Sequence, residues 1–270
     1  MSYLIRTILI ITITGLSACS SKEEVVIDKK VSEPDFIEAS ALNVQLALGY
    51  IERDQLGVAQ EKLDKAIEQN PDNVDAYTTM AYLKRKVNEL DAAEDYYLEA
   101  LDIKSNDPNI HNNYGGLLCQ MGRYDDALDE IRKAYEDPFY VTPYLAYANA
   151  GTCLLDKGDY KQAEKMLRKA LREQPNYAGA LISMAEIGVK TEKFLMARAY
   201  IQRYHAVARP SADSLWLQIQ SEKALGAEEH YLKYAKQLLN NFPDSDEALS
   251  LIHISEPTRP MKESRMTSSG

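Results

Sequence analysis

Three thiols, four imidazoles and 41 carboxylates are the side chains of this 270-residue chain from which chemistry could be built. His111, His205, His230 and His253 stand far apart, with no i, i+4 pair and no Cys at metal-motif spacing, so no zinc or other metal centre is expected. No phosphate-cradling glycine loop, G-x-S-x-G elbow, H-E-x-x-H helix or dinucleotide fingerprint occurs. The carboxylates tend to adjoin lysines, as in Glu61-Lys62, Asp64-Lys65 and Glu164-Lys165, the pattern of a solvated helix face rather than of a catalytic acid and base. The expectation is a protein without catalytic residues or cofactor. The thiols are another matter. Cys19 ends an apolar run near the amino terminus, and Cys119 and Cys153 form an even pair. What those sulfurs do depends on compartment and on the elements that carry them.

The compartment is legible in Met1–Ala18, MSYLIRTILIITITGLSA: one Arg, an apolar run Thr7–Leu16, then small residues before Cys19. That is the order of a secretory signal, and the run is too short for a span of about 20 residues. Leu16-Ser17-Ala18-Cys19 resembles the bacterial lipobox. The resemblance implies acylation of Cys19, cleavage before it, and, with Ser20 rather than Asp next, sorting to the outer membrane. The following SSKEEVVIDKKVSEPD is half charged and reads as a tether over residues 19–36.

Beyond it one unit repeats. Ala59, Ala93, Ala127, Ala163 and Ala197 open the segments AQEKLDKA, AEDYYLEA, ALDEIRKA, AEKMLRKA and ARAYIQRY, spaced 34, 34, 36 and 34 residues apart. In each, apolar or small residues recur four and seven positions on, a helical face that another helix approaches closely. Twelve residues upstream lie the small or tightly packed pairs Leu46-Ala47, Met80-Ala81, Tyr114-Gly115, Ala150-Gly151 and Met184-Ala185, marking a preceding helix. Leu56, Leu90, Tyr124, Tyr160 and Phe194 keep the same period in the intervening turn. Asp91 and Asp125 are expected as N-caps. Pro71, Pro108, Pro175, Pro210 and Pro243 separate units.

This helix–turn–helix period resembles the tetratricopeptide repeat. It implies an all-α solenoid, a right-handed superhelix of about six repeats within residues 37–252. The units fall near residues 40–73, 74–107, 108–141, 144–177, 178–211 and 212–245, with a partial capping helix at 246–252. The sixth is degenerate, with Tyr231 replacing the Ala anchor while Ala235 and Leu238 keep the stripe. Residues 253–270 lose all periodicity, and their SEPTRP run resembles translated sequencing-adaptor sequence, so the native last helix is expected to be cut short. The two extra residues in Pro138-Phe139-Tyr140-Val141-Thr142-Pro143 read as a surface loop, or as an aromatic contact point. Mixed composition (45% apolar, 27% charged) suits a folded chain, and a net charge of −10 argues against a nucleic-acid partner.

First helices of successive repeats lie side by side, so Cys119 and Cys153, on the third and fourth, can meet. Outside the inner membrane a disulfide is the favoured state, two buried thiols packing as small hydrophobes being the alternative. The first helices also line the groove. In the first unit Leu42, Val44, Leu46, Ala47, Leu48, Tyr50 and Ile51 are apolar nearly all round. Packing needs only a stripe, so the excess, Val44, Leu48 and Ile51, marks either a partner site or contact with Phe36-Ile37. Thr78, Tyr82, Arg85, Asn112 and Gly116 continue that face. The Lys/Asn/Arg set with which some tetratricopeptide repeats clamp a C-terminal carboxylate is missing. Thr78, Tyr82, Asn113, Leu145 and Asn149 stand in its places, which disfavours that mode.

Lipobox, polar tether and six repeats together resemble the type IV pilus biogenesis lipoproteins, the pilotins. The resemblance implies a protein anchored by lipid at Cys19 to the periplasm-facing leaflet of a Gram-negative outer membrane. It also implies a Cys119–Cys153 disulfide, and a partner in the pilus secretin (PilQ-like), whose localisation and multimerisation the protein assists. An adaptor for outer-membrane protein assembly or peptidoglycan hydrolase control is the alternative.

Overall fold

The computed structural model describes residues 35–255, so the signal, Cys19, nearly all of the tether and the residues after 255 lie outside the described residues. The described part is a row of antiparallel helix pairs. In chain order these are α1 (Phe36–Glu52) with α2 (Leu56–Gln69), α3 (Val74–Lys86) with α4 (Leu90–Ile103), and α5 (Pro108–Gln120) with α6 (Tyr124–Glu136). There follow α7 (Pro143–Lys157) with α8 (Tyr160–Glu173), α9 (Ala178–Lys190) with α10 (Phe194–Val207), and α11 (Ala212–Ala224) with α12 (Glu228–Asn241). A lone α13 (Asp246–Ser255) closes the row. This is the all-α tetratricopeptide solenoid. Two boundaries move: α1 begins at Phe36, inside the expected tether, and α13 runs past Ile252, since the sequence holds no breaker before Pro257.

Each pair closes on a seam of small residues. Ala59, Ala93, Ala127, Ala163 and Ala197 are fully buried, and so are Ala47, Ala81 and Ala185 opposite. In the third and fourth units glycine takes the opposing place. A methyl on Gly115 would stand 2.5 Å from Cγ1 of Ile131 and 2.8 Å from the Ala127 carbonyl oxygen, and one on Gly151 2.6 Å from Leu167. The turn inside each pair is equally fixed. Asp54, Asn88, Gly122, Gly158, Glu192 and Gly226, one per unit at the 34- or 36-residue spacing, all adopt φ between 57° and 89°. Three are glycine, for which that conformation carries no Cβ penalty.

Helix starts differ from expectation. Asp91 and Asp125 sit in the first turns of α4 and α6, whose N-caps are Glu89 and Arg123 without a side-chain bond. They complement the helix dipole from within instead of capping it. Side-chain caps come from Asn73, Asp107, Asp159 and Ser211. The two-residue insertion seats Tyr140 in the core between α6 and α7 and leaves Phe139 and Val141 exposed. The sixth unit also departs from the others in having a polar interior. Gln218 and Glu222 of α11 are buried, with Glu222 accepting from Gln218 and from Arg198 of α10.

The seam makes a test within one dipeptide. Gly115→Ala should lower stability by about 1–3 kcal/mol through overpacking. Gly116→Ala, whose nearest neighbour would be an Arg85 nitrogen at 3.6 Å, should be neutral or stabilising by up to about 1 kcal/mol from helix propensity, both read from urea unfolding.

Candidate partner-binding groove

The row curves because its two kinds of helix pack differently. First helices touch first helices along most of the stack: α1 on α3, α5 on α7, α7 on α9, α9 on α11. Second helices of adjacent units make no comparable contact, so the first helices form the inner face. Equivalent positions there read Leu48, Tyr82, Gly116, Thr152, Glu186 and Gln220, from apolar at the amino-terminal end to polar further along.

Not every residue assigned to this face by sequence lies open on it. Leu48 and Tyr82 do, at 43% and 46% exposure, and Thr78, Arg85 and Gly116 are partly exposed. Val44 and Ile51 do not. Both are buried in a cluster with Ala76, Met80 and Leu83, because α3 packs on the very side of α1 that looks free when only α2 is considered. Asn112 is also buried, its Oδ1 accepting a 3.0 Å hydrogen bond from Nδ2 of Asn149, so it is floor rather than contact surface. Conversely Leu42 and Leu46, which belong to the packing stripe by periodicity, are exposed. Their counterparts Ala76 and Met80, Ile110 and Tyr114, and Ala180 and Met184 are all buried.

The middle of the groove is a polar concavity shared by α3, α5 and α7 and lined by Arg85, Asn113, Gln120, Asn149, Thr152 and Asp156. The Arg85 guanidinium lies over Gly116, where an added methyl would stand 3.6 Å from its nitrogen. Cys119 and Cys153 are joined by a disulfide across the floor, Cα to Cα 5.7 Å. Burial pushes the carboxyls of Asp156 and, on α9, Glu186 above the usual carboxylate range. Among the described residues no group of three or more His, Cys, Asp or Glu is placed to hold a metal ion.

With this geometry in hand the likeness to known proteins is informative. Residues 50–112 and 144–177 match the tetratricopeptide-repeat family. The crystal structure of PilW, a widely conserved type IV pilus biogenesis factor, superposes with a TM-score of 0.73 at 31% identity, over 79% of this chain and 98% of PilW. The chain belongs to this family of tetratricopeptide-repeat pilus biogenesis proteins. The type IV pilus assembly protein PilF of Pseudomonas aeruginosa is 29% identical over 208 residues, 77% of this chain and 82% of PilF. A PilF structure matches at a TM-score of 0.70 and 28% identity, over 81% of this chain and 99% of the chain in that structure. The likeness thus runs through the whole stack, and this is a tetratricopeptide-repeat protein of type IV pilus biogenesis.

Within that family the groove generates two tests. The disulfide closes a separation of 34 residues, so a Cys119→Ser/Cys153→Ser variant should lose up to about 3–4 kcal/mol, seen as a lower denaturation midpoint. A carboxyl whose folded pKa is raised costs stability at neutral pH, and the cost vanishes below its unfolded value, near 4.5 for Glu186. Glu186→Gln should therefore raise Tm at pH 7, with the gain shrinking as pH falls toward about 4.5 and gone below it.

Proposed function

We propose that this pilus biogenesis protein is an outer-membrane lipoprotein, acylated at Cys19 and facing the periplasm, whose groove captures a segment of a pilus secretin subunit. Held at the membrane by its acyl chains, the groove raises the local concentration of secretin and so promotes its localisation and multimerisation. The mechanism is passive: it needs a docking surface and a tether, not bond chemistry. Membership of the pilus biogenesis family supports the reading, as does the lipobox ahead of a charged tether. The observation that carries it is the pair Leu48 and Tyr82, large apolar side chains exposed at equivalent positions of adjacent first helices. Burying the exposed half of each side chain under an amphipathic or extended secretin segment would supply about 1 kcal/mol apiece. The polar concavity beyond it offers Arg85 and Asn149 to that segment's backbone.

A photocrosslinker placed at Leu48 or Tyr82 in cells should capture the secretin. Leu48→Asp/Tyr82→Asp should reduce secretin multimers and surface pili toward the level of a strain lacking the gene, with the circular dichroism melt unchanged. Normal multimers in the deletion strain would reject the proposal.

A further inference from the structure

The outward faces of the second helices carry a pattern that the groove does not use. On α8 the exposed Lys161, Lys165, Arg168 and Arg172 and the partly exposed Lys169 form a cationic stripe, flanked by Gln162, Glu164 and Glu173. Two units earlier, on α4, the same five repeat positions are Asp91, Asp95, Leu98, Glu99 and Asp102. The sign is inverted at four of five positions, and the fifth sets an apolar side chain against the aliphatic stem of an arginine. On α6, between them, the same positions hold both signs, and Arg132 and Lys133 are neutralised within the helix by Asp129 and Glu130. On α4 none of Asp91, Asp95, Glu99 and Asp102 meets a cation at ion-pair distance among the described residues. On α8 only Arg168 is paired, with Glu164, while Lys169 lies over the Tyr135 and Tyr147 rings.

These faces are costly where they stand. Asp91/Asp95, Asp95/Glu99, Lys161/Lys165, Lys165/Lys169 and Arg168/Arg172 are like charges four residues apart on a helix, each of which weakens it. An opposing surface of the other sign removes that repulsion. We infer that the cationic face of α8 docks on the anionic face of α4 in a second copy of this chain. The two faces belong to different helices, so the contact is heterologous. Each copy added leaves one face of each sign open, and assembly continues head to tail. An anionic lipid surface would satisfy α8 but would leave the α4 carboxylates repelled and unaccounted for, whereas a second copy satisfies both. Contacts of this kind are weak singly and salt-sensitive, so the association is reversible.

The test is a charge swap on the purified full chain, followed by sedimentation equilibrium and velocity. In about 0.01 M salt, where charges act over about 30 Å, the weight-average mass should rise with concentration above that of the monomer. It should return to the monomer near 1 M, where that range is about 3 Å. Lys165→Glu/Arg172→Glu and Asp95→Lys/Asp102→Lys should each associate about tenfold more weakly, or not at all. Mixing the two variants, each of which keeps one face unaltered (α4 in the first, α8 in the second), should restore association between them. A wild-type chain that stays monomeric at low salt, or a mixture of variants that stays apart, would overturn the inference. Wild-type binding to phosphatidylglycerol vesicles without self-association would do the same and assign the α8 face to lipid.

Discussion

The structure rests on how closely two helices of a pair can approach. Where Gly115 meets Ala127 and Ile131, Gly151 meets Leu167 and Gly188 meets Ala197, the seam has no room for another methyl group. That approach sets the angle within each pair, and repetition of the angle sets the row of first helices that becomes the groove. The left-handed residue in each turn, Asp54 through Gly226, is the second half of the same constraint, since it reverses the chain in the few residues available. Function inherits this geometry. A surface made by stacking is as extended as its partner and needs no cavity.

The fold was legible because a repeat states its constraint many times. The alanine anchors, the small partners twelve residues upstream and the periodic apolar residues at the turn each mark a position where only certain side chains fit. Helix starts were less legible. Asp91 and Asp125 look like caps by residue type, yet Leu90 and Tyr124 already occupy the first helical position, drawn there by the core beneath the turn. The disulfide was legible as a proximity, because Cys119 and Cys153 fall on neighbouring first helices.

The groove was only half legible, for a reason visible in α1. Helical periodicity separates a buried side from an exposed one when a helix has one neighbour. Here α1 has α2 and α3, so Val44 and Ile51 pass from groove to core, while Leu42 and Leu46 lie uncovered where later units have a predecessor. Leu48 and Tyr82 survive as surface because their position faces away from both neighbours. The carboxylates of Asp156 and Glu186 sit on this inner face at a cost in stability, as groups kept for contact rather than for folding often do.

The disulfide has a further consequence. In a linear array each unit is supported only by those beside it, so thermal loss of structure can start at an end and travel inward like fraying rope. The covalent tie between α5 and α7 couples the third unit to the fourth and stands midway along the row. Melting that enters from either end must stop there or break both units together. The array therefore divides into two arms hinged on a durable centre, and amide protons at that centre should be the last to exchange.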